Sequence, residues 1–137
     1  MTRPATPDDV EEICLSLPET ELGVTWGDVP SYVVRQRPKP RGFVLYRKPH
    51  STAIDPVSGE PYDDLLVVRT RDAADKAALV EGGGPWFTIP HFERSNAVLV
   101  QQSRLGEVAV DELREVITDA WLSVAPRRLA REHGLDG

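Results

Sequence analysis

Two segments typical of β-strands, residues 32–37 and 42–47, are separated by only four residues, and this spacing strongly constrains the fold. A parallel connection needs a dozen or more residues, so the two strands must pair antiparallel. The joining segment, residues 38–41, holds two prolines that cannot donate hydrogen bonds to a sheet. It is therefore predicted to be a protruding loop.

The remaining elements are predicted from apolar spacing and from cap residues. A first helix begins after Thr6 with proline at its first position, and it ends near Ser16 or Leu17 because Pro18 prevents continuation. Further elements are predicted as strands at 65–69 and 96–102, a short helix at 72–81 and a closing helix at 110–124. Residues 19–30 are interpreted as a turn-rich connection.

This order of elements predicts the fold class. Helix, three strands, helix, strand and helix are typical of an α+β domain. We expect an antiparallel sheet of about four to five strands, with helices packed on one face and helices at the N- and C-termini. The length of 137 residues suits a single domain over residues 1–137.

Composition favours an acidic protein of a reducing compartment. The chain has 16 basic and 22 acidic residues, for a net charge of −6, which does not favour a general nucleic-acid binder. A single cysteine, Cys14, cannot form an intrachain disulfide, so a cytoplasmic location is expected. Cys14 itself is predicted to be a small buried residue of the first helix. Because no stretch reaches membrane-spanning length, no membrane partner is expected.

The charge is unevenly distributed along the chain. Residues 35–48 contain six basic side chains and no acidic one, whereas the rest of the chain has a balance of −12. The six are Arg35, Arg37, Lys39, Arg41, Arg47 and Lys48. Arg35 and Arg37 would project from one face of a strand, so the hairpin could lie along the phosphates of DNA. The alternative is a solvated, charged hairpin that resists pairing at a sheet edge.

A second candidate surface lies after the short helix. The glycines and prolines of residues 82–90 restrict the backbone, so this connection should have a defined conformation. Three side chains that could contact a partner lie in or just after it: Trp86, His91 and Arg94. Together with Trp26 they form the alternative prediction, a surface for a protein partner or a small ligand. For His91 a structural hydrogen bond is favoured over catalysis.

The sequence predicts no catalytic machinery, metal site or cofactor. The three histidines His50, His91 and His133 lack the spacing of metal ligands. The glycines at 82–84 lack the lysine and hydroxyl residue of a phosphate loop and are predicted to end a helix. No serine or cysteine has a recognisable activating base, so an enzyme is not expected.

Several segments are similar to one known family. They are residues 13–20 (ICLSLPET), 26–27, 32–34, 66–70 (LVVRT), 87–92 (FTIPHF), 97–100 (AVLV), 112–121 (ELREVITDAW) and 125–130. On these motifs the chain resembles the MmcQ/YjbR family of small bacterial proteins, over nearly its whole length.

The resemblance implies a compact α+β fold similar to that of frataxin-like and double-wing domains. It also implies a DNA-binding label, and it brings neither agreed catalytic residues nor a cofactor. The Pro90–His91 pair matches the motif of the family without an established role.

Overall fold

The fold is organised around one antiparallel sheet of five strands, and strands that follow one another in the sequence lie side by side in the sheet. A computed structural model describes residues 3–25, 29–36, 39–47, 54–56, 58–89 and 92–135. The strands are β1 (Thr20–Thr25), β2 (Val29–Val34), β3 (Arg41–Tyr46), β4 (Leu65–Arg69) and β5 (Ala97–Gln101). The helices are α1 (Pro7–Ser16), α2 (Ala73–Glu81), α3 (Val110–Val124) and α4 (Arg127–Glu132), with a 3₁₀ helix at Gln102–Glu107. The predicted α+β class is confirmed.

Local signals set the ends of the helices. Thr6 stands at the N-cap of α1 and Pro7 at its first position, and the helix stops one residue before Leu17, as predicted. In α2 the N-cap is Asp72, whose side chain accepts a hydrogen bond from the N–H of Asp75 at 2.8 Å. Beyond α2, Gly83 adopts a φ of 80°, a left-handed conformation that glycine allows without strain.

The sheet separates two apolar clusters. The larger one lies on the side of the helices, where α1 and α3 pack against β2, β3 and β4 through residues such as Ile13, Phe43 and Trp121. The smaller one, here called the second core, contains Leu45, Leu65, Val67, Ile89, Phe92, Ala97 and Leu99. Alternation along β4 explains the division, because Leu66 and Val68 point to the helices whereas Leu65 and Val67 point to the second core. The prediction of helices on one face is confirmed.

The first strand corrects the sequence interpretation. Residues 19–30 were expected to be a connection, but Thr20–Thr25 pairs with β2 along its whole length. Gly23 was interpreted as a turn signal, although Leu22 and Val24 have the alternate spacing of a strand. In the structure these two side chains are 58% and 65% exposed. Gly23 serves a close approach here, since an added Cβ would lie 3.3 Å from a methyl group of Val33.

The second strand also differs from its predicted bounds. It covers Val29–Val34 instead of 32–37, so Arg35 lies outside the strand from which it was expected to project. Arg37, the other member of that expectation, lies outside the described residues. Past its end, Gln36 donates from Nε2 to the carbonyl oxygen of Val124 at 2.9 Å, which draws the chain toward α3. The predicted antiparallel pairing with β3 is confirmed. The register shifts between Tyr32 and Val33, which leaves Phe43 of β3 without a paired residue in β2.

Candidate anion-binding site

The six predicted cations do not form one patch. Arg37 and Lys48 lie outside the described residues, and the other four occupy three different environments. Arg35 is directed toward β1, where its guanidinium lies 3.2 Å from the carboxylate of Glu19 and 4.0 Å from that of Glu21. These two acids offset the charge of Arg35, so it contributes little to attracting a phosphate.

Arg47 is held against an aromatic ring. Its guanidinium lies 5.1 Å from the centroid of Phe92, a distance typical of a cation–π contact. The side chain is half-buried, and burial lowers its pKa. Arg47 therefore lies at the edge of the second core, and it is not part of a solvent-exposed basic surface.

Lys39 and Arg41 are exposed, and they line a common cavity with a third cation, Arg69, which was not predicted from the sequence. The three line a cavity of about 350 Å³ at the start of β3, here called the basic cleft. Its other lining residues are Val24, Pro40, Gly42 and Leu45. Among the described residues none of the three cations forms an ion pair with a carboxylate.

Arg69 is fixed by the backbone of the neighbouring strand. Its Nε donates to the carbonyl oxygen of Gly42 at 2.8 Å, which leaves the terminal N–H groups of the guanidinium available. Burial lowers the pKa of Arg69, and the positive charge of Arg41 lowers it further. Arg41 and Arg69 line the same cavity, so an anion placed there would interact favourably with both positive charges.

The position of Arg69 follows from strand alternation. It lies at i+2 and i+4 from Val67 and Leu65, so it shares their face of the sheet, at the end of a strand that is otherwise apolar. The sequence did carry a signal for this position, since Arg69 continues the alternating apolar positions Leu65 and Val67 with a charged residue. Its partner Gly42 is 27 residues away, and that contact has no local signature.

A smaller pocket adjoins the basic cleft. It has a volume of about 90 Å³ and is lined by Leu45, Val67, Arg69, Phe92, Ser95 and Ala97. Leu45 and Arg69 line both cavities. The smaller cavity, here called the apolar pocket, is therefore a recess of the second core directly beside the basic cleft.

A buried lysine secures one wall of the apolar pocket. Lys76 of α2 is only 9% exposed, and its Nζ donates to the carbonyl oxygens of Phe92 at 2.6 Å, Ser95 at 2.7 Å and Glu93 at 3.2 Å. Burial lowers the pKa of Lys76, an effect that the carboxylate of Glu93 opposes. Three oxygen acceptors compensate the buried ammonium and fix residues 92–95 against α2.

A third cavity, of about 210 Å³, has the opposite charge. It lies between α2 and α3, with Asp75, Glu112, Glu115 and Asp119 in its lining, and it reaches Arg69 and Thr70 at the end of β4. Burial raises the pKa of Asp119, and Arg71 opposes this at a distance of 3.9 Å. Four of the 22 acidic side chains of the chain thus line one cavity on the helical side of the sheet.

The alternative surface receives less support from the structure. Trp86 is only 4% exposed and belongs to the larger core, so it offers almost no surface to a partner. Its Nε1 has no hydrogen-bond acceptor among the described residues. Arg94 is exposed, whereas Trp26 and His91 lie outside the described residues.

The described residues contain no group of three or more histidine, cysteine or acidic side chains that could hold a metal ion. Cys14 is buried as predicted, and burial raises the pKa of its thiol. In the same part of the chain, no helix is long and apolar enough to cross a membrane.

A five-stranded antiparallel sheet with helices on one side and a basic cleft at the start of β3 defines a small α+β domain with a candidate anion site. The model of the YjbR family matches residues 15–123, and the chain belongs to this family.

The chain is similar to proteins of mycobacteria. An uncharacterized protein of Mycobacterium bovis is 37% identical over 131 residues, which cover 93% of this chain and 94% of the relative. Uncharacterized proteins of two Mycobacterium tuberculosis strains show the same identity and coverage.

The fold is also similar to that of a solved structure. The crystal structure of a Deinococcus radiodurans protein with a domain named DUF419 gives a TM-score of 0.60, covering 95% of this chain and 88% of that chain. At 19% identity, this likeness shows the fold alone.

Proposed function

We propose that this protein binds the phosphate backbone of DNA through the basic cleft, weakly and without reading the base sequence. The observation that carries the proposal is that Lys39, Arg41 and Arg69 line one cavity, with no carboxylate paired to any of them among the described residues. Guanidinium groups match the geometry of phosphate oxygens, and contacts to phosphate position a protein without specifying sequence.

We further propose that the protein acts as a binding protein and not as an enzyme. The cleft is built from two arginines, whose charge is fixed, and one lysine. Such groups bind and orient an anion, but the arginines cannot exchange protons in the way that general acid–base catalysis requires. We place this function in the cytoplasm, where a chain with a single cysteine needs no disulfide partner.

The salt dependence of binding tests the proposal quantitatively. With three cations engaged, the slope of log affinity against log salt should be about −2.7 for duplex DNA and about −2.1 for single strands. The measurement is a fluorescence anisotropy titration of labelled duplex and single-stranded oligonucleotides at two or more salt concentrations.

Charge-matched variants separate the cleft from overall electrostatics. Lys39→Glu combined with Arg41→Glu should abolish binding, since both side chains line the cleft and are exposed. The control combines Arg114→Glu with Arg127→Glu, two exposed arginines of α3 and α4, and changes the net charge by the same amount. If both double variants lose binding equally, or if the wild type shows no salt-sensitive binding, the proposal is wrong.

A further inference from the structure

The basic cleft and the apolar pocket are neighbours, since Leu45 and Arg69 line both. We propose that together they form a site for a small phosphate monoester that carries a short alkyl group. The phosphate end of this site rests on the proposed function, whereas the alkyl end is independent of it.

The phosphate end is defined by its three positive charges and by the hydrogen bond that already holds the side chain of Arg69 in place. A phosphate monoester dianion would be balanced by the three cations Lys39, Arg41 and Arg69. Arg69 is already anchored to Gly42, so binding costs it little conformational entropy. The same anion would offset the positive charge of Arg41, which lowers the pKa of Arg69 in the cavity that both residues line.

The alkyl end is defined by the side chains of the second core. Leu45, Val67, Phe92 and Ala97 supply apolar walls, and each of them is buried. Lys76 holds residues 92–95 through three carbonyl oxygens, so the wall formed by Phe92 is fixed before a ligand arrives. An apolar group that enters this pocket leaves water and gains packing contacts.

Size excludes an aromatic base from the pocket. A volume of about 90 Å³ is smaller than the roughly 150 Å³ of a cavity that binds benzene. The ring of Phe92 is also buried and has the guanidinium of Arg47 over it, which limits stacking on that ring. A chain of two to three carbons suits the pocket, since one water in the liquid occupies about 30 Å³.

The test is a series of ligands that differ only in chain length. Inorganic phosphate and the methyl, ethyl, propyl and hexyl phosphates are titrated into the protein at constant ionic strength, with isothermal calorimetry or amide chemical shifts as the readout. Affinity should rise about fourfold per added methylene and level off once the pocket is full. A flat series would overturn the inference.

Single substitutions test which residues contact the alkyl group and which contact the phosphate. Ala97→Leu fills the apolar pocket and should remove the dependence on chain length while inorganic phosphate still binds. Val67→Ala enlarges the same pocket and should move the plateau to a longer chain, which tests the inference even if Ala97→Leu folds poorly. Arg69→Gln should weaken every member of the series.

The outcomes distinguish the two proposals. If DNA fails to bind in a salt-dependent way but the alkyl phosphates show the expected series, the proposed function is wrong and the inference stands. If DNA binds and the series is flat, the apolar pocket takes no ligand and the inference is wrong. Growth of affinity with chain length that persists in Ala97→Leu would place the alkyl group elsewhere and would also overturn it.

Discussion

At the scale of single residues, Asp9 shows how a buried carboxylate stabilises the beginning of α1. It accepts hydrogen bonds from both terminal nitrogens of Arg3, at 2.6 and 2.8 Å, and from the backbone N–H of Thr6 at 2.8 Å. The bonds from Arg3 hold the pKa of this carboxyl group well below its usual range, although burial opposes them. Only the ionised form can accept all of these bonds.

The first prediction concerns the pH dependence that follows from Asp9. Because its pKa is lower in the folded state, its contribution to stability is complete above the unfolded value of about 3.9 and is lost as the pH falls below it. Asp9→Asn should therefore lower the free energy of unfolding at pH 7, and the difference from the wild type should shrink below about pH 4. Urea unfolding at pH 7, 5, 4 and 3 measures this.

Asp8→Asn provides the matched control, since it removes an exposed carboxylate from the same turn of α1. It should have a much smaller effect at every pH. A difference between Asp9→Asn and the wild type that stays constant down to pH 3 would contradict the role of Asp9.

The second prediction concerns Trp121, the largest fully buried side chain. It lies on the apolar face of α3, and its Nε1 donates to the carbonyl oxygen of Pro18 at 3.0 Å. Trp121→Ala should lower the free energy of unfolding by about 3–5 kcal/mol. Trp121→Phe should cost less, because it keeps a ring and loses mainly the hydrogen bond. An unchanged denaturant midpoint in Trp121→Ala would show that α3 does not dock as described.

At the scale of elements, Lys76 connects α2 to the segment that precedes β5. The three carbonyl oxygens that it binds belong to residues 92–95, and this segment forms a wall of the apolar pocket. Residues 92–95 lie outside the strands, and just after them the carbonyl oxygen of Asn96 accepts a hydrogen bond from the N–H of Thr70 at 2.9 Å. The position of residues 92–95 thus depends on Lys76 in addition to this backbone bond.

The third prediction follows from that dependence. Lys76→Met keeps most of the side-chain length but removes the donor to the carbonyl oxygens of Glu93 and Ser95. The carbonyl oxygen of Phe92 keeps the bond from the N–H of Ser95. The substitution should cost about 2–3 kcal/mol. Amide hydrogen exchange should accelerate in residues 92–97 more than in α1 or α3. Lys39→Met removes the same charge from an exposed position and should leave both exchange and stability nearly unchanged. Uniform acceleration across the chain would mean that Lys76 does not act locally.

Elements were predictable from sequence to the extent that their signals are local. Thr6, Pro7 and Pro18 lie beside the ends of α1 and gave its bounds correctly. β1 was missed because Gly23 and Gly27 were interpreted as turn signals, although Leu22 and Val24 alternate with residues that are not apolar. Arg69 and Lys76 were missed for another reason: their partners lie 27 and 16–19 residues away, where sequence spacing carries no information.

At the scale of the whole molecule, the distribution of charge matters more than its sum. A net charge of −6 argues against binding to a polyanion. Four acidic side chains line the groove between α2 and α3, and Arg69 lies in the lining of both that groove and the basic cleft. Because salt screens exposed charges over about 8 Å at physiological ionic strength, the three cations of the cleft matter more to an anion bound there than the net charge does.

The hydrogen bond from Arg69 to Gly42 gives the cleft a built-in reporter. It polarises the peptide group between Gly42 and Phe43, within the strand where the register passes over Phe43. An anion that draws the guanidinium toward itself will lengthen or bend this bond, and the ¹⁵N resonance of Phe43 will move in response. One amide signal, followed during a titration, thus distinguishes occupancy of the cleft from adsorption elsewhere on the surface.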